Sequence, residues 1–97
     1  MIEEIVEKIA KFFCVTKEDL LSRNKLSKIS NARNFCYYVL HCDYGYSISK
    51  IARFFGRTGR CVNYQIATIK YLTKNIKSYK KDYECLTYSI INALDTK

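Results

Sequence analysis

The residues that could do chemistry in this 97-residue chain are cations, and their placement says which chemistry. Arg57 and Arg60 bracket a short turn, Gly56-Arg57-Thr58-Gly59, and Asn63 and Tyr64 follow within one helical turn. Arginine pairs bidentately with guanine and asparagine with adenine, so Arg60, Asn63, Tyr64 and Thr58 are the candidates to reach base edges of duplex DNA. Arg23, Lys25, Lys28, Arg33, Lys50, Arg53 and Arg57 are candidates for the backbone or the minor groove, where contacts fix register without reading sequence. Double-stranded DNA is the expected partner.

Charge distribution supports that assignment. The net charge is +8, but residues 20–81 hold thirteen basic residues against one acid, Asp43, while both flanks are net acidic. A basic centre with acidic ends is the footprint of a polyanion-binding face. The plain alternative, solvated lysines, fits Lys74 to Lys81 better than it fits the arginines.

Other chemistry finds little support. The five cysteines form no CxxC pair, and an odd count fits reduced thiols better than a disulfide framework. With His41 as the single histidine, no metal site is expected. There is no paired carboxylate in the basic centre, no nucleophile motif and no Gly-rich phosphate loop, so neither enzyme activity nor a cofactor is expected. No apolar run approaches the roughly 20 residues of a membrane span, and the acidic start is wrong for a signal peptide. The expectation is a cytoplasmic, nucleoid-associated protein. Nine tyrosines, several near Tyr37, Tyr38, Tyr44 and Tyr46, leave open an alternative, a protein-interaction module on the same fold that docks another protein on a Tyr-rich surface and has only non-specific DNA affinity.

The elements that must hold the arginines follow from periodicity. Absence of Pro and only three Gly suit an all-α fold, a compact bundle of about six helices in one domain spanning residues 1–97. Ile2, Ile5, Val6, Ile9, Ala10 and Phe13 make a first helix. Thr16-Lys17-Glu18-Asp19 is a capping box with Asp replacing Glu, opening a short helix through Leu21. Ser22 to Lys28 is expected to be a basic loop. A third helix carries Ile29, Ala32, Phe35, Cys36, Val39 and Leu40, and breaks at Asp43-Tyr44-Gly45-Tyr46. Ser47 caps a fourth, with Ile48, Ile51, Ala52 and Phe55, which Gly56 ends. A fifth holds Val62, Ile66 and Ile69, and Asp82 is expected to cap a last helix bearing Tyr83, Leu86, Ile90 and Leu94. Ala52 as the small residue at a close crossing, with Gly56 making the turn, predicts a helix-turn-helix over 47–73.

Several blocks, in order and spacing, resemble a known family. They are Val6-Glu7-Lys8-Ile9-Ala10, Thr16 to Leu20, the basic segment Ser22 to Lys28, Ala32-Arg33, Ser47-Ile48-x-x-Ile51-Ala52-x-Phe54-Phe55-Gly56-Arg57, and Val62. Together they resemble the C-terminal DNA-binding domain of the bacterial replication initiator DnaA, whose helical fold is Trp-repressor-like. The resemblance implies that fold and its docking mode, with Lys25 closest to the position that enters the minor groove. The family's signature loop is similar to Gly-Gly-Arg-Asp-His-Ser/Thr-Thr-Val. Here Arg57 matches its arginine, but Thr58, Gly59 and Arg60 stand where Asp, His and Ser/Thr read bases, with one glycine deleted. The resemblance therefore implies a recognition sequence other than the family's usual one. With no ATPase motif in a chain that begins with Met, the expectation is a stand-alone regulator, or an accessory or competitor at a replication origin. A dimer would predict half-sites about 10 base pairs apart, and a monomer a short asymmetric site.

Overall fold

The computed structural model describes residues 2–23 and 26–95, with side chains through residue 89. Lys25, the expected minor-groove residue, lies outside the described residues, as do the side chains of Ile90 and Leu94.

Apolar residues at helical spacing build each element and then the core. Helix α1 (Ile2–Phe12) buries Ile2, Ile5, Val6, Ile9 and Ala10, and its acidic first turn, Glu3 and Glu4, faces the positive end of the helix dipole. Cys14 turns the chain at a positive φ of 60°, and the Val15 N–H donates back to the Ala10 carbonyl at 2.9 Å. The capping box is present: Thr16 Oγ1 accepts from Asp19 N at 3.0 Å, and Asp19 Oδ2 accepts from Thr16 N at 3.3 Å. It opens α2 (Lys17–Leu21), whose Leu20 is fully buried.

Helix α3 (Ser27–Tyr38) is the central strut. It begins within the segment expected to be loop, so Ser27 and Lys28 lie in its first turn. Its end widens into a π-helical turn, Val39–Asp43, before Gly45 reverses the chain at φ 75°. Helix α4 (Ile48–Phe55) and helix α5 (Gly59–Asn75) follow, and α6 (Lys77–Asp95) closes the bundle. There is no strand among the described residues. Helix α3 packs on α5, and α6 packs on both α5 and α1.

One boundary differs from the sequence expectation. Asp82 caps nothing; it lies inside α6, which starts at Lys77. The break between α5 and α6 is the single extended residue Ile76 (φ −114°, ψ 118°). Tyr79, one turn into α6, stacks on Phe35 of α3 with ring centroids 6.1 Å apart. Packing, not a glycine or proline, sets this corner.

The core joins all six helices through Ile9, Leu20, Phe35, Leu40, Ile51, Val62, Ile69 and Leu86, among others. Cys36 is buried there as a small hydrophobe; Cys14, Cys42 and Cys85 are exposed and Cys61 is half-buried. The Cα radius of gyration, 12.4 Å, is that of one folded unit of this length, about 12.5 Å.

Candidate nucleic-acid interface

The α4–α5 pair is held at a fixed angle by local chemistry at three points. Ser47 Oγ accepts from Lys50 N at 3.2 Å and starts α4. Gly56 ends it in the left-handed region (φ 66°, ψ 37°). There Gly56 N donates to Arg53 O at 3.3 Å and Arg57 N donates to Ala52 O at 2.8 Å, the paired bonds of a Schellman ending. Thr58 Oγ1 then accepts from Cys61 N at 3.1 Å and caps α5. Ile51, Ala52 and Phe55 of α4 and Val62 of α5 are buried between the helices. Tyr37 of α3 braces the pair from below, meeting Phe55 edge-on with ring centroids 5.0 Å apart.

This frame presents cations outward. Arg60, Asn63 and Tyr64 stand exposed at the start of α5, Tyr64 at 68%. Thr58 is exposed too, its hydroxyl oxygen engaged as the cap. Lys50 and Arg53 are exposed on α4, with the Lys50 ammonium 5.3 Å from the centre of the Tyr46 ring. Arg23 and Lys28 are exposed near the start of α3. The positive end of the α5 dipole and its free N–H groups add to this field.

Arg33 departs from its expected place at a phosphate. It is 6% exposed, on the buried side of α3. Its Nε donates to Leu20 O at 2.7 Å, and its Nη2 donates to Ser22 O at 2.9 Å and to Asp19 O at 3.3 Å. Burial, and then the neighbouring Arg57 guanidinium, hold its pKa below the ordinary arginine value. The side chain accepts that cost because it satisfies carbonyls at the end of α2, which the helix itself leaves without donors. Arg57 shares the work: its Nη2 donates to the same Ser22 carbonyl at 2.8 Å, and its Nη1 to Phe55 O at 3.3 Å. One carbonyl thus ties the basic segment after α2 to the turn before α5.

Beside this node a cleft of about 490 Å³ opens between α3 and α5, lined by Arg23, Ser30, Arg33, Asn34, Tyr37, Arg57, Cys61 and Gln65. None of these is acidic. Arg23 and Arg57, with amide and hydroxyl neighbours, suit an anionic oxygen, which makes Ser30, Asn34 and Gln65 further candidates. Asn34 follows Arg33 directly, but periodicity gives half-buried helix positions no special weight. Burial also lifts the Tyr37 hydroxyl to about 12, which keeps it neutral beside the arginines.

Of the four tyrosines expected near a shared surface, Tyr44 is exposed at 37% and the others are buried or half-buried. Tyr37 is in the core, Tyr38 packs edge-on against Tyr83 with centroids 5.1 Å apart, and Tyr46 lies half-buried under Lys50. Tyr83 is further tied by its hydroxyl, which donates to both Asp43 carboxylate oxygens at 2.7 and 2.8 Å. The well-exposed tyrosines are Tyr64, Tyr71 and Tyr88. Among the described residues no cluster of His, Cys, Asp and Glu could hold a metal ion, and no helix is long and apolar enough to cross a membrane.

An all-helical domain in which a capped, glycine-turned helix pair offers its second helix to solvent belongs to the helix-turn-helix class. Residues 2–69 match the bacterial DnaA protein helix-turn-helix, and the chain belongs to that family, whose fold is DNA-binding. It is 29% identical over 73 residues to the chromosomal replication initiator protein DnaA of Pseudothermotoga lettingae. That alignment takes in 75% of this chain and 16% of the relative, so the chain spans about a sixth of that protein's length.

Proposed function

We propose that this chain binds duplex DNA sequence-specifically and acts as a transcriptional regulator, or as an accessory or competitor at a replication origin, without ATPase activity of its own. The observation that carries this reading is the start of α5, where Arg60, Asn63 and Tyr64 are all exposed, with Lys50 and Arg53 exposed on the preceding helix and an arginine-lined cleft between α3 and α5. In this docking, α5 enters the major groove by its N-terminus, and Arg60 and Asn63 read base edges. Lys50, Arg53, Lys28, Arg23 and Arg57 meet phosphates, while Arg33 holds the segment that carries Arg23 in place. Lys25, by its place in the sequence, is the minor-groove candidate.

The target differs from the family's usual one on this reading, because Thr58-Gly59-Arg60 replaces the base-reading set of the signature loop. Selection from a random duplex library, followed by titration of the winner against salt, tests it. One enriched site, bound at least about a thousandfold above random DNA, supports sequence-specific recognition. Salt-sensitive binding with no enriched sequence overturns it. The symmetry of the winner also separates a dimer from a monomer.

A further inference from the structure

Lys70, Lys74, Lys77, Lys80 and Lys81 crowd the end of α5 and the first turns of α6, and no acidic residue lies between Lys70 and Lys81. All five are exposed, and none forms an ion pair among the described residues. Apolar surface is set among them: Tyr71 is 65% exposed and Ile76 is 42% exposed. The corner itself is well fixed, with Asn75 Nδ2 donating to Tyr71 O at 2.9 Å and Ile76 N donating to Leu72 O at 2.8 Å.

Along the α5 axis Lys74 lies about 21 Å from Arg60, at 1.5 Å per residue. A major groove is about 12 Å wide and about 8.5 Å deep, so a duplex seated on the N-terminus of α5 leaves this corner uncovered. Crowded like charges repel one another and are relieved by a polyanion. The exposed ring decides which polyanion. In an intact duplex the bases are stacked on each other and offer Tyr71 no free face. In a single strand an unpaired base can lie on the ring, while neighbouring phosphates meet Lys74, three residues on along the same face of the helix, and Lys70, one turn before Lys74.

We propose that the α5–α6 corner is a second nucleic-acid site, specific for single strands, with Tyr71 as the stacking platform and Lys70, Lys74 and Lys77 as phosphate contacts. All of these residues lie beyond residue 69, where the family match ends. The proposal does not depend on the duplex reading.

The test is fluorescence anisotropy of a labelled oligothymidylate, with a labelled duplex measured in parallel, on the full chain. Tyr71→Ala is expected to lower oligothymidylate affinity roughly tenfold, and Tyr71→Phe to retain it. Lys70→Gln with Lys74→Gln is expected to lower that affinity and flatten its salt dependence. Arg60→Ala is expected to leave it unchanged. Unchanged oligothymidylate affinity in Tyr71→Ala overturns the proposal, and so does a parallel loss in Arg60→Ala, since the strand would then occupy the start of α5. Failure of the duplex to bind would strike the proposed function and leave this site standing.

Discussion

Arginines at four neighbouring positions of this domain have different tasks, and burial separates them. Arg60 and Arg53 are exposed, Arg57 is half-buried on a carbonyl, and Arg33 is enclosed. Arg60→Ala is therefore expected to weaken the selected site by roughly fivefold or more and to relax preference at one base position, a loss of about 1–3 kcal/mol. Lys50→Ala should weaken all sequences evenly and lower the salt slope by roughly one. Affinity measured on selected and random duplexes separates the two. Arg33→Met is expected to lower the unfolding free energy by about 1–3 kcal/mol, because buried carbonyls at the end of α2 lose a charged donor. Denaturant melts would check it. The role of Arg33 was in fact readable: it lies four residues after Ile29 and three before Cys36, on the apolar side of its helix. A cation on that side is an internal donor. Which of the exposed residues touch bases is a matter of docking, and a lone sequence carries no coordinate of the partner.

At the scale of elements, the capped boundaries were legible and the packed ones were not. Thr16, Ser47 and Gly56 each leave a chemical mark, and each acts where its residue type says it should. The π-helical turn at Val39–Asp43 and the start of α6 at Lys77 leave none. Both depend on neighbours: Tyr83 reaching Asp43, and Tyr79 reaching Phe35. The turn between α4 and α5 gives a sharp prediction. A Cβ at Gly56 would meet nothing within 4 Å, so only its left-handed backbone resists substitution. Gly56→Ala is expected to cost about 1–2 kcal/mol and Gly56→Asn less, since asparagine tolerates that region better. Thermal melts of the two variants decide it. Equal losses would mean that something other than backbone conformation governs the turn.

The molecule as a whole is built from many aromatic rings, and that sets its response to base. Burial lifts the Tyr37 hydroxyl from 10.0 to about 12, and burial with the Asp43 carboxylate raises Tyr83 as well. Both hydroxyls stay protonated in the fold at a pH where the unfolded chain has begun to lose those protons. Their contribution is complete below about pH 10 and is lost as pH rises toward the folded values. Unfolding free energy is expected to begin falling near pH 9, where the unfolded chain loses the proton that burial keeps on the Cys36 thiol, and to fall more steeply above about pH 10 as the tyrosines join. Tyr37→Phe, having no proton to lose there, should fall less steeply. A decline in Tyr37→Phe as steep as in the parent would remove Tyr37 from the explanation.

The Ser22 carbonyl, shared by Arg33 and Arg57, has a consequence for the DNA rather than for the protein. It fastens Ser22, next to Arg23, to the turn from which α5 departs, so the span between Ser22 and that turn is fixed before any duplex arrives. A protein with a slack arm can follow its second contact when a base pair is inserted between two half-contacts. This one carries its own ruler. Under the proposed docking, each inserted base pair moves the outer contact by about 3.4 Å and rotates it around the duplex axis, away from an Arg23 whose neighbour Ser22 is tied in place. Spacing within the target site should then be as strictly specified as its bases.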